Sequence, residues 1–434
     1  MSDRPNILFI VTDQQFAGAM SCAGNSDLHT PAMDSLAETG MRFERAYCPQ
    51  PLCAPCRASF MTGMMPHETG VISNGGKLRE DLRTRGMGSV LREGGYESAI
   101  AGKWHVPSVT MEGFGFKILL EGNDDAGVPV KCLEFLKEKP DKPFFLVASF
   151  INPHDICQVA RSQPLPQGPV ADAPTEQCPN LPANYAIPPY APDILNFARR
   201  SNPRVYPTTE FTDDDWRHLR QLYFRLVEKV DAEIGVLLDG IREMGLEEDT
   251  IIIFTSDHGD GHGAHHWNQK TSLWEESIHI PFIVSQKGVT KAGSVDESHL
   301  VSLGLDLIPT LCDYAGIEVA DDLRGASVRG IAEGNASSEW RNELVVETQL
   351  NLGSGPGGDA IARSLVTERF KYSCYPLGRY REQLVNLEAD PGEMVNLAVD
   401  ANHKGVLDEH RQRLLNWCEE TKDPFARYAA TPRE

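Results

Sequence analysis

The sequence predicts an α/β protein, and three observations carry that prediction. Runs rich in Ile, Leu, Val and Phe cover residues 6–13, 142–150 and 250–256, which is typical of strands buried on both faces of a sheet. Segments with helical periodicity lie between these runs, and the longest begins at Thr212. The chain has 434 residues, so we expect a large α/β domain over residues 1–340 and a smaller α+β subdomain over residues 341–434.

The balance of charged residues excludes some classes of partner. The chain has 41 Lys and Arg against 62 Asp and Glu, a net charge of −21, which disfavours binding to nucleic acid or to an anionic membrane surface. No apolar run has the length of a membrane span, and the amino terminus shows no secretory signal. The ten cysteines follow no disulfide framework, so we expect reduced thiols in a cytoplasmic protein. The sequence carries no signal for the oligomeric state.

Polar side chains follow four predicted strands at the point where each strand ends. They are Asp13 and Gln14 after 6–13, Lys103 and His105 after 96–102, His154 after 142–150, and Asp257 and His258 after 250–256. Because ligands of open α/β sheets bind at the carboxyl ends of strands, we expect these groups to face one pocket. Carboxylate, amide and imidazole groups bind metals, so the pairs 13–14 and 257–258 are candidate ligands. In isolation, each pair also fits a capped or solvated turn.

The stretch Cys53–Gly63 combines a thiol, a fixed cation and a helix start. Pro55 donates no backbone hydrogen bond, so we expect irregular chain near Cys53. Arg57 carries a planar fork that suits a tetrahedral anion, and the following residues predict a helix whose amino terminus favours anions. The alternative is a redox or zinc pair formed by Cys53 and Cys56, although the sequence offers no second pair for zinc.

The remaining chain predicts further elements and one long loop. Helices are expected over 30–40, 87–94, 212–244, 300–315 and 403–421, strands over 41–47 and 340–348, and an antiparallel pair over 364–372 and 382–387, with a loop at Ser354–Gly358. Residues 157–208 are proline-rich and predict a lid, with Arg161, Tyr185, Arg199 and Arg200 near a pocket rim. His262, His265 and His266 predict a substrate-contacting loop before Lys270 rather than a zinc site.

Several of these segments resemble the type I sulfatase family, a branch of the alkaline phosphatase superfamily. Cys53-Ala-Pro-Cys-Arg57, followed by Thr62-Gly63, is similar to the family signature Cys-x-Pro-Ser-Arg with a later Thr-Gly, and Cys56 replaces the usual serine. Asp13-Gln14, Gly102-Lys-Trp-His105, Pro153-His154, Asp257-His258-Gly259 and Lys270 resemble further family segments in the same order. The resemblance covers roughly residues 4 to 425 and implies an alkaline-phosphatase-like sandwich, with a large mixed sheet between helices and a smaller carboxyl-terminal antiparallel sheet with one helix.

The resemblance also implies a chemistry. A maturing enzyme oxidises Cys53 to formylglycine, whose hydrate attacks the sulfur of a sulfate ester. The implied metal ligands are Asp13, Gln14, Asp257, His258 and one oxygen of the modified Cys53. Arg57, Lys103 and Lys270 hold the sulfate, His154 or Lys270 protonates the departing alcohol, and His105 takes the proton that restores the aldehyde.

Three choices stay open at this point. The metal is expected to be calcium, with manganese or magnesium as alternatives because His258 brings an imidazole. The substrate is expected to be a small-molecule or carbohydrate sulfate ester, and a formylglycine-generating enzyme is the expected maturation partner. The alternative functions are a phosphonate monoester or phosphodiester hydrolase on the same scaffold, and a non-catalytic or Cys53–Cys56 redox protein.

Overall fold

A computed structural model describes residues 4–201, 208–335, 339–350, 352 and 360–429 of the chain. The expected loop at 354–358 lies outside these residues. The strands are β1 Asn6–Asp13, β2 Gly40–Phe43, β3 Ala46–Tyr47, β4 Glu97–Gly102, β5 Lys117–Glu121, β6 Phe144–Pro153, β7 Thr250–Ser256, β8 Phe282–Ser285, β9 Ser294–Asp296, β10 Val301–Ser302, β11 Glu343–Leu350, β12 Ala360–Thr367, β13 Phe370–Cys374 and β14 Glu382–Asn386.

Helices cover both faces of the larger sheet and one face of the smaller sheet. They are α1 Pro31–Thr39, α2 Cys53–Thr62, α3 Pro66–Thr69, α4 Met87–Glu93, α5 Gly127–Lys137, α6 Ile156–Val159, α7 Asp193–Ser201, α8 Asp213–Glu243, α9 Glu275–Ile278, α10 Leu303–Ala315, α11 Arg329–Ala332, α12 Lys404–Thr421 and α13 Ala426–Ala429. No helix in the described residues is both long and apolar enough to cross a membrane.

The larger sheet has eight strands in the order β5-β4-β6-β1-β7-β8-β2-β9. The five strands from β5 to β7 run parallel, whereas β8 is antiparallel to both β7 and β2. Strands β1, β6 and β7 occupy the centre and are almost completely buried, which explains their continuous apolar sequence. This is the mixed sheet predicted from the sequence.

Alternation along β1 supplies one hydrophobic core to each face of the sheet. Ile7, Phe9 and Val11 pack in the core that contains α2, α4 and α10, whereas Leu8 and Ile10 pack in the core that contains α1, α5 and α8. Helix α2 is unusual because all ten of its residues are buried. It therefore sits inside the first core and points its amino terminus at the carboxyl ends of the parallel strands.

The carboxyl-terminal sheet is antiparallel, with the order β11-β12-β13-β14, and α12 packs on it. The expected strand 364–372 was wrong in its continuity, because β12 ends at Thr367 and β13 begins at Phe370 to form a hairpin. The expected strand 41–47 was likewise wrong, since it divides into β2 and β3. The smaller sheet and its helix confirm the predicted fold class.

A buried ion pair and a backbone hydrogen bond join the smaller sheet to the chain on either side of α2. Nδ1 of His67 on α3 lies 2.5 Å from Oε1 of Glu347 on β11. Arg363 on β12 donates to both oxygens of Asp423, at 2.6 and 3.0 Å, and lies 3.2 Å from Glu347. The backbone N–H of Glu347 also donates to the carbonyl of Pro49, at 2.8 Å. The smaller sheet thus holds the chain that leads into α2.

Candidate active site

The carboxyl ends of β1, β4, β6 and β7 lie side by side, because these strands are neighbours in the parallel part of the sheet. Asp13 is the last residue of β1, and Asp257 and His258 follow β7. All three side chains are completely buried. The expectation that strand ends gather polar groups in one place is met here, since four strands deliver residues to the same edge.

Cys53 is the first residue of α2 and lies at the centre of this group. Its Sγ is 3.2 Å from Nζ of Lys270, 3.3 Å from Nε2 of His258 and 3.6 Å from Oδ1 of Asp13. The side chains of His105 and His154 also lie close enough to interact with this thiol. His105 is exposed to solvent whereas Cys53 is not, so the site opens on the His105 side.

Two of the cations near the thiol, Arg57 and Lys103, are fixed by partners of their own. Nε of Arg57 donates to Asp257 at 2.8 Å, and its Nη1 donates to Oγ of Ser149 at 2.9 Å and to the carbonyl of Lys103 at 3.1 Å. Nζ of Lys103 donates to Asp13. Nη2 of Arg57 is buried without a hydrogen-bond partner and lies 3.6 Å from Oδ2 of Asp13.

The electrostatics of the site favour an anionic nucleophile and cationic lysines. Burial alone would raise the pKa of the Cys53 thiol, but Lys103 and Lys270 hold that pKa well below its usual range. Burial would lower the pKa of Lys270, yet the negative charge at Cys53 raises it. Burial, aided by the charge of Lys270, lowers the pKa of His154 to about 4. His154 is therefore neutral at pH 7.

The two buried carboxylates titrate in opposite directions. Burial and the charge of Cys53 act to raise the pKa of Asp13, but Lys103, His154 and Lys270 together outweigh them and the pKa of Asp13 is lowered. Burial and the neighbouring charge of Asp13 raise the pKa of Asp257. A positive group in addition to Arg57 would offset the repulsion between Asp257 and Asp13, since an opposite charge stabilises a carboxylate.

Four residues offer ligand atoms for a metal ion. One ligand atom from each of Asp13, Cys53, Asp257 and His258 lies within 4.8 Å of the others, and all four residues are buried. Two carboxylates and an imidazole fit a divalent cation. Nε2 of Gln14, the fifth expected ligand, donates instead to Oδ2 of Asp260 at 2.6 Å. A ligand role for Gln14 stays a prediction.

Two of the three clustered histidines pack in the interior. His262 lies among the rings of Phe16, Tyr223 and Phe224, and His265 stacks on Trp274 with ring centroids 3.9 Å apart. The expected substrate contact does not fit these two residues, because aromatic neighbours enclose their rings. Their packing holds the loop that carries Lys270.

The expected lid rests on the same loop. Tyr185 stacks on His266 with ring centroids 4.1 Å apart, and the charge of Arg199 contributes to the lowered pKa of His266, after burial. Arg161 lies near enough to affect the buried thiol of Cys157, whereas Arg200 is exposed. Tyr185 is therefore placed by a direct contact with this loop, whereas Arg161 and Arg199 lie close enough to act on its surroundings by their charge.

Sequence reasoning missed three supporting residues. Ser149 fixes Arg57, Asp260 fixes the amide of Gln14, and Cys157 contacts the same amide with Sγ 3.4 Å from Nε2. Ser149 carries a detectable signal, because a polar residue inside the continuous apolar run of β6 is unusual. Asp260 lies in a loop and Cys157 in the short helix α6, where sequence patterns give no orientation.

Comparisons with known proteins agree with this geometry, which defines a hydrolase of the alkaline phosphatase superfamily. The family model "Sulfatase" matches residues 5–317, and the model "N-sulphoglucosamine sulphohydrolase, C-terminal" matches residues 263–420. The chain belongs to the sulfatase family and is an enzyme that hydrolyses sulfate esters.

Individual relatives cover nearly the whole chain. A Delta 4,5-hexuronate-2-O-sulfatase of Bacteroides thetaiotaomicron is 29% identical over 98% of this chain and 90% of its own length. The solved structure of a 2-O GAG sulfatase has a TM-score of 0.87 at 27% identity, covering 98% and 94% of the two chains. A phosphonate monoester hydrolase of Agrobacterium radiobacter shares the fold, with a TM-score of 0.81 at 22% identity and 96% coverage of each chain.

Proposed function

We propose that this sulfatase hydrolyses the sulfate ester of a sulfated carbohydrate, using a formylglycine made from Cys53 and one calcium ion. The position of Cys53 carries the proposal, because its Sγ lies within 3.6 Å of Lys270, His258 and Asp13 at the amino terminus of a buried helix. The carbohydrate class is supported by the hexuronate sulfatase, which is similar to this chain along almost its full length.

The side chains around position 53 bind and orient the sulfate group. Two lysine cations lie in the site. Lys270 contacts Cys53, and Lys103 contacts Asp13. Arg57 donates hydrogen bonds to Asp257 and to Ser149 and so links these side chains of the site. Fixed donors of this kind stabilise charge that develops on sulfate oxygens during attack, and they need no reorganisation when the reaction occurs.

The prosthetic groups supply the remaining chemistry. Asp13, Asp257 and His258 would hold the calcium ion, which would supply positive charge at position 53 and lower the pKa of a hydroxyl there. The hydrated aldehyde at position 53 supplies the oxygen that attacks sulfur. These roles fit buried acids and an imidazole whose ligand atoms lie within 4.8 Å of the Cys53 thiol.

Two groups are placed to move protons. Nζ of Lys270 lies 3.2 Å from Sγ of Cys53 in the buried site, so its ammonium is placed to donate a proton to the departing alcohol oxygen. His105 lies close enough to interact with position 53 from the solvent side and adopts a φ of 58°, which is uncommon for a residue with a side chain. It is placed to take the proton whose removal expels sulfate and restores the aldehyde.

A peptide mass spectrum covering Cys53 tests the nucleophile, on protein produced with a formylglycine-generating enzyme. We expect an aldehyde at position 53, and the Cys53→Ala variant should lose hydrolysis of every ester. Cys56→Ser is the matched control, since it restores the usual family serine one helical turn away. An unmodified thiol in a fully active enzyme would refute the formylglycine.

A substrate panel tests the leaving group. Sulfated uronic acid and glucosamine disaccharides, an aryl sulfate and phenyl phosphonate are compared by kcat/KM. We expect the sulfated disaccharides to be turned over fastest. Faster turnover of phenyl phosphonate would assign the chain to the phosphonate monoester hydrolases that share its fold, and turnover of the aryl sulfate alone would reject a carbohydrate substrate.

A further inference from the structure

The exposed aromatic side chains of the described residues lie on two segments of the chain that contact each other. Among the described residues, eleven large hydrophobic side chains are exposed, and the three aromatic ones are Tyr190, Phe197 and Tyr380. Single exposed hydrophobic residues are normal on a protein surface, whereas a cluster marks a binding site. Together with Leu377 and Arg379, these three residues form what we call the aromatic patch.

Direct contacts make the patch continuous across two segments of the chain. The rings of Tyr190 and Tyr380 pack edge to face with centroids 5.2 Å apart. The N–H of Asp193 donates to the carbonyl of Arg379 at 3.1 Å, and Nε of Arg379 donates back to Oδ2 of Asp193 at 3.1 Å. Phe197 lies one turn after Asp193 on α7 and thus shares its face of the helix. The patch therefore joins the lid to the β13–β14 hairpin.

The patch is basic in an acidic protein. Residues 190–201 and 374–382 contain four arginines against two acids, a net charge of +2 in a chain of net charge −21. Arg379 keeps 81% of its side chain exposed although it pairs with Asp193, and its guanidinium carbon lies 5.9 Å from the centre of the Tyr380 ring. A planar cation beside an exposed aromatic ring suits a ligand that carries both an anionic group and an apolar face.

Helix α7 borders the hydrophobic core that also contains residues on both sides of Lys270. Ile194 and Leu195 of α7 are buried in that core, as are Trp267 and Trp274, which flank Lys270 in sequence. The amide of Asn396 donates to the carbonyl of Tyr190 at 3.0 Å, so the lid is also held by the chain that follows β14. The aromatic patch and the loop of Lys270 therefore border the same core.

We propose that the aromatic patch is an outer subsite that binds a further anionic sugar unit of a sulfated oligosaccharide. The aromatic faces of Tyr190 and Tyr380 pack on the C–H face of a pyranose ring, and the fork of Arg379 binds its sulfate or carboxylate group. The inference rests on the proposed function, because it requires that the sulfate ester being cleaved belongs to an oligosaccharide.

Calorimetric titration with a heparin-derived tetrasaccharide tests the subsite directly. In the full chain carrying Arg379→Ala and Tyr380→Ala, we expect the Kd for this probe to rise by about tenfold. The matched control is Arg369→Ala, which removes another exposed arginine that pairs with a glutamate and lies over an aromatic ring of the same sheet. An unsulfated, uncharged tetrasaccharide should bind both proteins equally weakly.

Kinetics separate this inference from the proposed function. With the tetrasaccharide as substrate, the double variant should raise KM by the same factor and leave kcat unchanged, and hydrolysis of an aryl sulfate should stay at the wild-type rate. An equal Kd in the double variant and in Arg369→Ala would overturn the subsite. It would also be overturned if the wild-type protein proved to be a dimer that Tyr380→Ala converts to a monomer, because a second copy of the chain would then cover the patch. Failure of the wild type to cleave any sulfate ester would reject the proposed function instead, while the titration still decides whether the patch binds.

Discussion

Replacement of Lys270 by alanine is the sharpest test of the assigned catalytic cations. Nζ of Lys270 lies 3.2 Å from Sγ of Cys53, and only 4% of the residue is exposed. The ammonium is therefore a preorganised donor in a site with little water. Loss of one such donor costs about 2.7–4 kcal/mol of transition-state stabilisation, so kcat should fall about 10²- to 10³-fold. Lys103→Ala should cost more, because it also leaves the buried carboxylate of Asp13 without its closest cation.

The assay is aryl sulfate hydrolysis at saturating substrate, with conversion of Cys53 measured in each preparation by mass spectrometry. The control is Lys404→Ala, because Lys404 keeps 73% of its side chain exposed and pairs only with Asp408 among its described ion pairs. It should retain the wild-type kcat. The reasoning is refuted if Lys270→Ala turns over within threefold of the wild type at equal conversion of Cys53.

Three further predictions concern stability. Dialysis against EDTA should lower the Tm and calcium should restore it, because the clustered acids lose their counter-ion; an unchanged Tm would argue against a bound cation. Burial alone would lower the pKa of His67, but Glu347 raises it above 6.5. This pair therefore stabilises the fold fully below pH 6.5 and is lost as pH rises through the raised pKa. Urea titrations should show that His67→Gln removes this pH dependence, and an identical pH profile would contradict it. Arg363→Ala should lower the free energy of unfolding by about 3–5 kcal/mol, because it leaves the buried Asp423 unpaired; a loss below about 1 kcal/mol in the same titration would mean the pair is dispensable.

The residues at the strand ends could be predicted from the sequence for a physical reason. Strands buried on both faces are continuous apolar runs, and parallel strands place their carboxyl ends at one edge. The positions of Asp13, His154 and Asp257 follow from these two facts alone. The position of Cys53 does not, since nothing local shows that α2 enters the core; there the family resemblance carried the prediction.

The features that could not be predicted depend on side-chain orientation or on distant partners. Gln14 follows Asp13 directly, yet its amide turns to Asp260, 246 residues away in sequence. The aromatic rings that enclose His262 come from two separate segments, the loop after β1 and helix α8. A histidine cluster in a loop looks the same whether it meets substrate or the interior, because only long-range packing decides between them.

Cys53 is synthesised well before the residues that bury it. Its contact with Lys270 spans 217 residues of sequence, and its contact with His258 spans 205. At about 5–20 residues per second of synthesis, the thiol stays without these partners for roughly 10–40 s after it leaves the ribosome. A maturing enzyme that needs an extended segment thus finds Cys53 accessible during translation, before the sheet closes over it.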